Sequence, residues 1–367
     1  MKKFEKIKNP YTLQFSYIPP QFIERTLITN EIISNYIRDI PTYRGMFITG
    51  VRGSGKTVIM GDIRNKIGAM NDWVTIDINP ESDLLDSLAR GLYLIPEIKA
   101  LFVKAKLDFS VLGIGVHIEN AELVASNDED AIRMMLDVLK KVHKKVLVTI
   151  DEITYSSNVA RFSHALSSYA SADFDIYVLM TGLSDNIRAI KNQKSLTFLY
   201  RAKVQELEGL NITAISADYQ KVLDLSKEKA DELAYATKGY SLAFQALGYH
   251  CWDAFSTDAK QDDKYWNDIY KKLDISLSEL SYEKIWAEFS DLDKKILCAI
   301  NDISKKTDNA RVKIEDIRAE LSITSNTFTT YRKRLVESGV VDGSQYGHMS
   351  LKLPRFGEFI DMESEMW

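Results

Sequence analysis

The chain has 367 residues, 45% hydrophobic and 27% charged, enough for two or three domains with real cores and too apolar for disorder. A net charge of -5 and a pI of about 5.7 exclude a protein that coats nucleic acid over its whole surface, but leave room for one locally basic module. Cys251 and Cys298 stand far apart in apolar helical surroundings and read as reduced thiols; no stretch is as long as a membrane span, no apolar run follows the start MKKFEKIKNPYTL, and the cytoplasm is the expected compartment.

Residues 9–25 (NPYTLQFSYIPPQFIER), interrupted by prolines and rich in aromatics, suit a segment laid across a domain surface. Thr29 to Arg38 reads as an amphipathic helix with Ile32, Ile33, Tyr36 and Ile37 on one face. Met46 to Thr49 is a short buried-strand run and Val58 to Ile67 a helix. Val74, Ile76 and Ile78 alternate with polar residues as the next strand, and Leu84 to Leu94 is helical again. From Lys106 to Glu119, KLDFSVLGIGVHIE alternates around Gly113 and Gly115 as a β-hairpin or an extended insertion. No helix opens after those glycines, which argues against a dinucleotide loop. Asp128 to Lys145 is a helix, Val146 to Ile150 a strand and Val159 to Ala170 a helix. Ile176 to Met180 is a buried strand ending in Thr181-Gly182, and Lys203 to Leu207 is the last strand. Such alternation predicts an α/β fold with a parallel sheet covered on both faces and ligands at the carboxyl ends of the strands.

The motifs fall at those ends. Gly50 to Thr57 read GVRGSGKT, the P-loop pattern, between a strand and a helix as the motif requires. Its glycines let backbone N–H groups turn toward phosphate oxygens at the positive end of a helix, so Gly50, Arg52, Gly53, Ser54, Gly55, Lys56, Thr57 and Val58 form the expected cofactor-binding stretch. Lys56 should reach the β- and γ-phosphates of ATP. Thr57 and Asp151, the latter closing the strand VLVTID, should hold Mg²⁺ from two sides, and Glu152 is the expected base or water-orienting group. His117, His143 and His250 have no Cys or carboxylate at ligand spacing and read as structural. Without a nucleophile elbow or a nuclease-like carboxylate cluster, the expected chemistry is phosphoryl transfer to water or none.

Beyond Leu210 the strands stop, and Thr213 to Trp286 reads as helices broken near Lys238-Gly239 and between Phe255 and Asp263. Asp291 to Ile303, Lys313 to Glu320 and Ser325 to Ser338 are then helices, with Leu321 to Thr324 a turn. Val340 to Gly343 and Met349 to Leu353 are strand-like and joined through Ser344 to His348, the layout of a winged helix-turn-helix. Its third helix would lead into a major groove with Ser325, Asn326, Thr327, Thr329 and Thr330, while Arg332, Lys333 and Arg334 would meet phosphates. Between Asp291 and Ile360 twelve Lys/Arg face ten Asp/Glu, a balance that also suits a winged helix docking on protein.

These pieces together resemble a small AAA+ ATPase of the origin-recognition and initiator type with a C-terminal winged helix. The resemblance rests on IPPQFIER, GVRGSGKT, VTIDE, VLMTGL, FLYRA, the lid string TKGYSLAFQALGY and LPRFGEFI, and covers nearly the whole chain. It implies an AAA+ core with its N-terminal segment over residues 1–209, a helical lid over 210–285 and a winged helix over 286–367. It also implies that Thr181 senses the γ-phosphate, that Arg25 packs by the adenine, and that Arg201 stands near the position of an arginine finger offered to a second copy or a partner ATPase. For Arg201 a structural role, capping a strand or pairing with Glu206, stays open. Two departures stand out: Gly239 is followed by Tyr240-Ser241-Leu242 where initiators offer an arginine, and Glu24 stands where a glycine is common. The missing arginine is closer to signal-transduction relatives, in which nucleotide state switches conformation and turnover is slow. The sequence thus points to an ATP- and Mg²⁺-dependent ATPase whose nucleotide state controls DNA engagement, or alternatively to a switch whose winged helix docks a protein.

Overall fold

A computed structural model of the chain describes residues 9–14, 18–114, 121, 123–255 and 262–365. They form two compact units. The first comprises Arg25–Thr49 and Lys56–Glu206; the second comprises the described residues of Met1–Glu24 and Leu207–Trp367 together with Gly50–Gly55.

In the first unit β1 (Gly45–Thr49), β2 (Trp73–Ile78), β5 (Lys145–Ile150), β6 (Ile176–Gly182) and β7 (Lys203–Glu206) form a parallel sheet ordered β2-β5-β6-β1-β7. The short strands β3 (Leu107–Asp108) and β4 (Leu123–Val124) pair apart from it. Strands β1 and β6 are buried along their whole length, which suits a parallel sheet covered on both faces and accounts for their unbroken apolar runs. The helices are α1 (Thr26–Ile37), α2 (Lys56–Gly68), α3 (Leu84–Leu94), α4 (Pro96–Lys104), α5 (Asp128–Lys141), α6 (Ser157–Ser171), α7 (Ser184–Lys191) and α8 (Thr197–Tyr200). Asp83, Asn127 and Ser156 cap α3, α5 and α6 by accepting the first backbone N–H groups, and Pro96 opens α4 where its missing N–H costs nothing. Leu88, Leu92, Ile132, Met135, Val148, Phe162, Leu166 and Val178 meet in one apolar core. On α1, Ile32 and Tyr36 are buried as expected, but Ile37 is exposed and Thr29 and Asn35 take the inner positions.

Of the hairpin or extended insertion expected over Lys106 to Glu119, residues 106–114 are described, and they form no hairpin among themselves. Leu107–Asp108 pairs in parallel with Leu123–Val124, and Ser110–Leu112 makes a 3-10 turn ended by Gly113. Buried Asp108 accepts the Ser110 N–H at 2.7 Å, a local bond that curls the chain out of extended conformation where a second hairpin strand would begin. Gly115 and His117 lie outside the described residues.

In the second unit the segment before Glu24 is tied to helices. Tyr11 donates through its hydroxyl to Asp218 at 2.6 Å, the Gln245 side chain accepts the Thr12 N–H at 3.0 Å, and the same side chain donates to the Gln21 carbonyl at 2.7 Å. Gly248 gives the Tyr11 ring room, because a Cβ there would stand 2.7 Å from it. The helices are α9 (Ile212–Leu223), α10 (Lys227–Ala236), α11 (Ser241–Phe255), α12 (Asp263–Leu277) and α13 (Glu283–Ala287), with a π-helical turn at Ser278–Tyr282. After them come α14 (Asp291–Thr307), β8 (Val312–Lys313), α15 (Ile314–Leu321), α16 (Ser325–Glu337), β9 (Val341–Asp342), β10 (His348–Leu351) and α17 (Phe356–Glu365). The last three strands pair in the order β8-β10-β9, so this C-terminal module has the element order expected of a winged helix-turn-helix, extended by α17. Lys238, in the turn before α11, donates its ammonium to the Leu351 carbonyl of β10 at 3.2 Å.

Candidate nucleotide site and C-terminal module

Within the first unit, β6 lies between β1 and β5, with Ile48 opposite Thr181 and Ile150 opposite Met180. That register brings Thr181 and Asp151 to one level at the carboxyl ends of adjacent strands, where an α/β sheet presents its ligand groups. The Asp151 carboxylate accepts the Thr57 hydroxyl at 2.7 Å, the Thr181 hydroxyl, and the Glu152 N–H at 3.1 Å. The Glu152 N–H also reaches the Thr181 hydroxyl oxygen at 3.1 Å. Glu152 has a left-handed backbone, φ 54°, a conformation unusual for glutamate, and its side chain is exposed. Thr181 is fully buried, while Lys56, the first residue of α2, is 8% exposed. A second layer backs the strand ends, with Thr149 donating to Asp77 at 2.7 Å, Arg64 paired with Asp77 at 2.9 Å, and Thr49 within 3.0 Å of Ser184.

The Thr57–Asp151 pair suits a hard cation. Two neighbouring ligands of an octahedral Mg²⁺ at about 2.0–2.1 Å stand about 2.9 Å apart, close to the spacing of these oxygens, with the remaining positions left to phosphate and water. Among the described residues no group of three or more His, Cys, Asp or Glu is gathered to hold a metal by itself. Three other expected groups lie on helices of the same unit. Arg25 is half-buried at the N-cap of α1, its carbonyl accepting the Thr29 N–H at 2.9 Å. Arg201 is exposed at the C-cap of α8. Val58, half-buried, is the third residue of α2.

Within the second unit, Gly50–Gly55 is a loop with φ of 75° at Gly53 and 91° at Gly55, values open to glycine. Ser54 closes a turn by donating its N–H to the Val51 carbonyl at 3.1 Å. Three donors from the start of α11 meet the loop: the Tyr240 hydroxyl to the Arg52 carbonyl at 2.5 Å, the Ser241 hydroxyl to the Ser54 carbonyl at 2.8 Å, and the Leu242 N–H to the Gly53 carbonyl at 3.1 Å. The Arg52 guanidinium pairs with Glu288 at 3.4 Å, and Val51 lies beside Gly339 in the turn between α16 and β9. In the sequence, Tyr240-Ser241-Leu242 belongs to the lid string and stands out for its lack of an arginine. The signal that could have found these contacts is the pair of hydroxyls beside Gly239, whose φ of 72° turns the chain into α11.

On α16, Ser325, Asn326, Thr327, Thr329 and Thr330 are exposed, with Thr324 capping the helix by accepting the Thr327 N–H at 3.3 Å. The basic trio divides. Arg332 donates to the Gly343 carbonyl at 2.8 Å, and Arg334 grips the fully buried Asp293 and donates to the Ser290 hydroxyl at 2.8 Å. Lys333 is the most exposed of the three, at 74%, and lies 4.0 Å from Glu337. Of the three histidines singled out in the sequence, His250 is bonded to Ser276 at 2.8 Å with its imidazole lowered by burial, and exposed His143 turns the chain at φ 55°; burial pushes the Cys251 thiol up to about 12. No helix of the described residues is long and apolar enough to cross a membrane.

A family model described as a domain of unknown function (DUF8462) matches residues 279–360, the C-terminal module with the end of the preceding helices. No curated protein matches the sequence. Among solved structures, the Aeropyrum pernix ORC2 protein in its ADPNP-ADP complexes is similar over 96% of this chain and 98% of that chain, with 13% identity and a TM-score of 0.61. Its ADP form is similar over 96% and 97%, with 13% identity and a TM-score of 0.51. The likeness is one of fold: along nearly its whole length this chain shares the fold of the Aeropyrum pernix ORC2 protein.

Proposed function

We propose that this protein binds ATP with Mg²⁺ at GVRGSGKT, hydrolyses it slowly, and uses its nucleotide state to control how a C-terminal winged helix engages DNA. The observation that carries the reading is the Thr57 hydroxyl on the Asp151 carboxylate at 2.7 Å, with Thr181 on the same carboxylate. Thr57 and Asp151 would hold Mg²⁺, which when bound supplies positive charge against the phosphate oxygens. Lys56 binds the β- and γ-phosphates from the N-terminal turn of α2. Thr181 fixes the Asp151 carboxylate and the Glu152 backbone, and Glu152 accepts a proton from the attacking water through its exposed carboxylate. Control of the C-terminal module is supported by two contacts of the phosphate loop, Val51 beside Gly339 and Arg52 on Glu288. Exposed Asn326 and Thr330 on α16 are the base-reading side chains of this proposal. A copy of the chain or a partner ATPase would receive Arg201.

The test is binding of a fluorescent ATP analogue with and without Mg²⁺, alongside steady-state hydrolysis. Lys56→Ala should lose tight binding, since charge-assisted bonds to the phosphates disappear. Glu152→Gln should bind like the wild type and lose turnover. Wild-type turnover in Glu152→Gln would remove Glu152 from the chemistry, and tight binding by Lys56→Ala would remove the site. A second reading, a switch whose C-terminal module docks a protein, is favoured by the internal partners of Arg332 and Arg334. Fluorescence anisotropy of the full chain on random duplex DNA across a salt series separates the two. Salt-sensitive binding supports the DNA reader, and no binding at low salt supports the protein-docking switch.

A further inference from the structure

We propose that Tyr240 and Ser241 are positioning residues of the phosphate loop: they hold it by its carbonyl side and thereby aim its N–H groups at the phosphates. The inference rests on the nucleotide-binding reading above and concerns how the loop acquires its shape. Three successive loop carbonyls, those of Arg52, Gly53 and Ser54, each accept one bond from the three successive residues Tyr240, Ser241 and Leu242. The described peptide bonds are all trans. In a trans peptide the C=O and the next N–H point in opposite directions. Anchoring these carbonyls to the start of α11 therefore turns the N–H groups of Gly53, Ser54 and Gly55 to the opposite side. Ser54 spends its N–H on Val51, which leaves the two glycines with positive φ as the donors that this arrangement presents to an anion.

The Tyr240 hydroxyl is itself fixed. It lies within 2.8 Å of the fully buried Ser281 hydroxyl, and its ring stacks on Tyr282 with centroids 6.3 Å apart. Burial holds the phenol well above its ordinary value, so the hydroxyl stays protonated and donating. A Cβ on Gly53 would stand 2.2 Å from that oxygen, so the close approach admits only glycine. These hydroxyls act through the loop backbone, on the carbonyls of Arg52 and Ser54.

The experiment is titration of the full chain with a fluorescent ADP analogue and, by competition, with inorganic pyrophosphate, for wild type, Tyr240→Phe, Ser241→Ala, Ser241→Thr and the double variant Tyr240→Phe/Ser241→Ala. Each lost hydroxyl should weaken both ligands by the same factor, about fivefold to tenfold, and the double variant by more. Ser241→Thr keeps the hydroxyl and should bind within about twofold of wild type, a rescue that a merely structural role for the site would not produce. Thermal melting checks that the variants are folded; should Tyr240→Phe fail to fold, the Ser241 pair carries the test alone. Wild type that binds, with Ser241→Ala binding equally well, overturns the proposal and leaves the nucleotide site standing. Wild type that binds neither ligand overturns the nucleotide reading and this proposal with it.

Discussion

Replacing Arg334 by methionine should destabilise the second unit and leave the electrostatics of DNA binding unchanged. Its guanidinium reaches Asp293, whose side chain has no exposure, while Arg334 itself is 46% exposed. Asp293 keeps two other donors, the Ser290 N–H at 3.0 Å and hydroxyl at 2.7 Å, in the capping box of α14. Breaking a fully buried pair by removing one partner costs about 3–5 kcal/mol. Water can replace part of a half-exposed guanidinium and Ser290 still serves the carboxylate, so about 2 kcal/mol is expected. For a unit of this size that lowers the melting temperature by about 4–8 °C. Lys333→Met is the contrasting change: at 74% exposure and 4.0 Å from Glu337 it should move stability by less than about 0.5 kcal/mol. If α16 lies on DNA, Lys333→Met should make the salt slope of binding shallower by about one, and Arg334→Met should leave it alone. The assays are calorimetric melting and anisotropy on duplex DNA across a salt series. Wild-type melting of Arg334→Met together with a shallower slope would refute the argument, because the guanidinium would then serve phosphate and not the cap of α14.

Arg201→Ala should leave nucleotide affinity nearly intact; if Arg201 acts on a neighbouring copy, hydrolysis per protomer should rise with protein concentration in wild type and lose that rise in the variant. A rate per protomer independent of concentration leaves Arg201 with a structural role at the end of α8. Cys251, fully buried with its thiol pushed up to about 12, should be about one part in ten thousand thiolate at pH 8. It should therefore resist alkylation in the folded chain and react once urea unfolds it. Rapid native labelling at Cys251, read by peptide mass spectrometry, would show that α11 opens readily.

What the sequence determined by itself is local. The spacing of glycines in GVRGSGKT, the unbroken apolar run before Asp151 and the helical periods of Leu84–Leu94 and Ser325–Glu337 are set by backbone freedom and side-chain alternation within a few residues. Those signals were enough to read a parallel α/β sheet and to place Thr57, Asp151, Glu152 and Thr181 at strand and helix ends. They left a hairpin and an extended insertion open for Lys106 to Glu119, where Leu107–Asp108 pairs in parallel with Leu123–Val124 and buried Asp108 accepts the Ser110 N–H. Partners distant in sequence were decided only in three dimensions. Arg334 read as a phosphate contact because it stands beside Arg332 and Lys333, but its counter-ion lies forty-one positions earlier, at Asp293. Tyr240 read as the place of a missing arginine, and its partner carbonyl at Arg52 is 188 residues away. A side chain's period and neighbours bias its local conformation, whereas its hydrogen-bond partner is whichever group the packed core delivers once water is excluded and each buried donor and carboxylate must be satisfied.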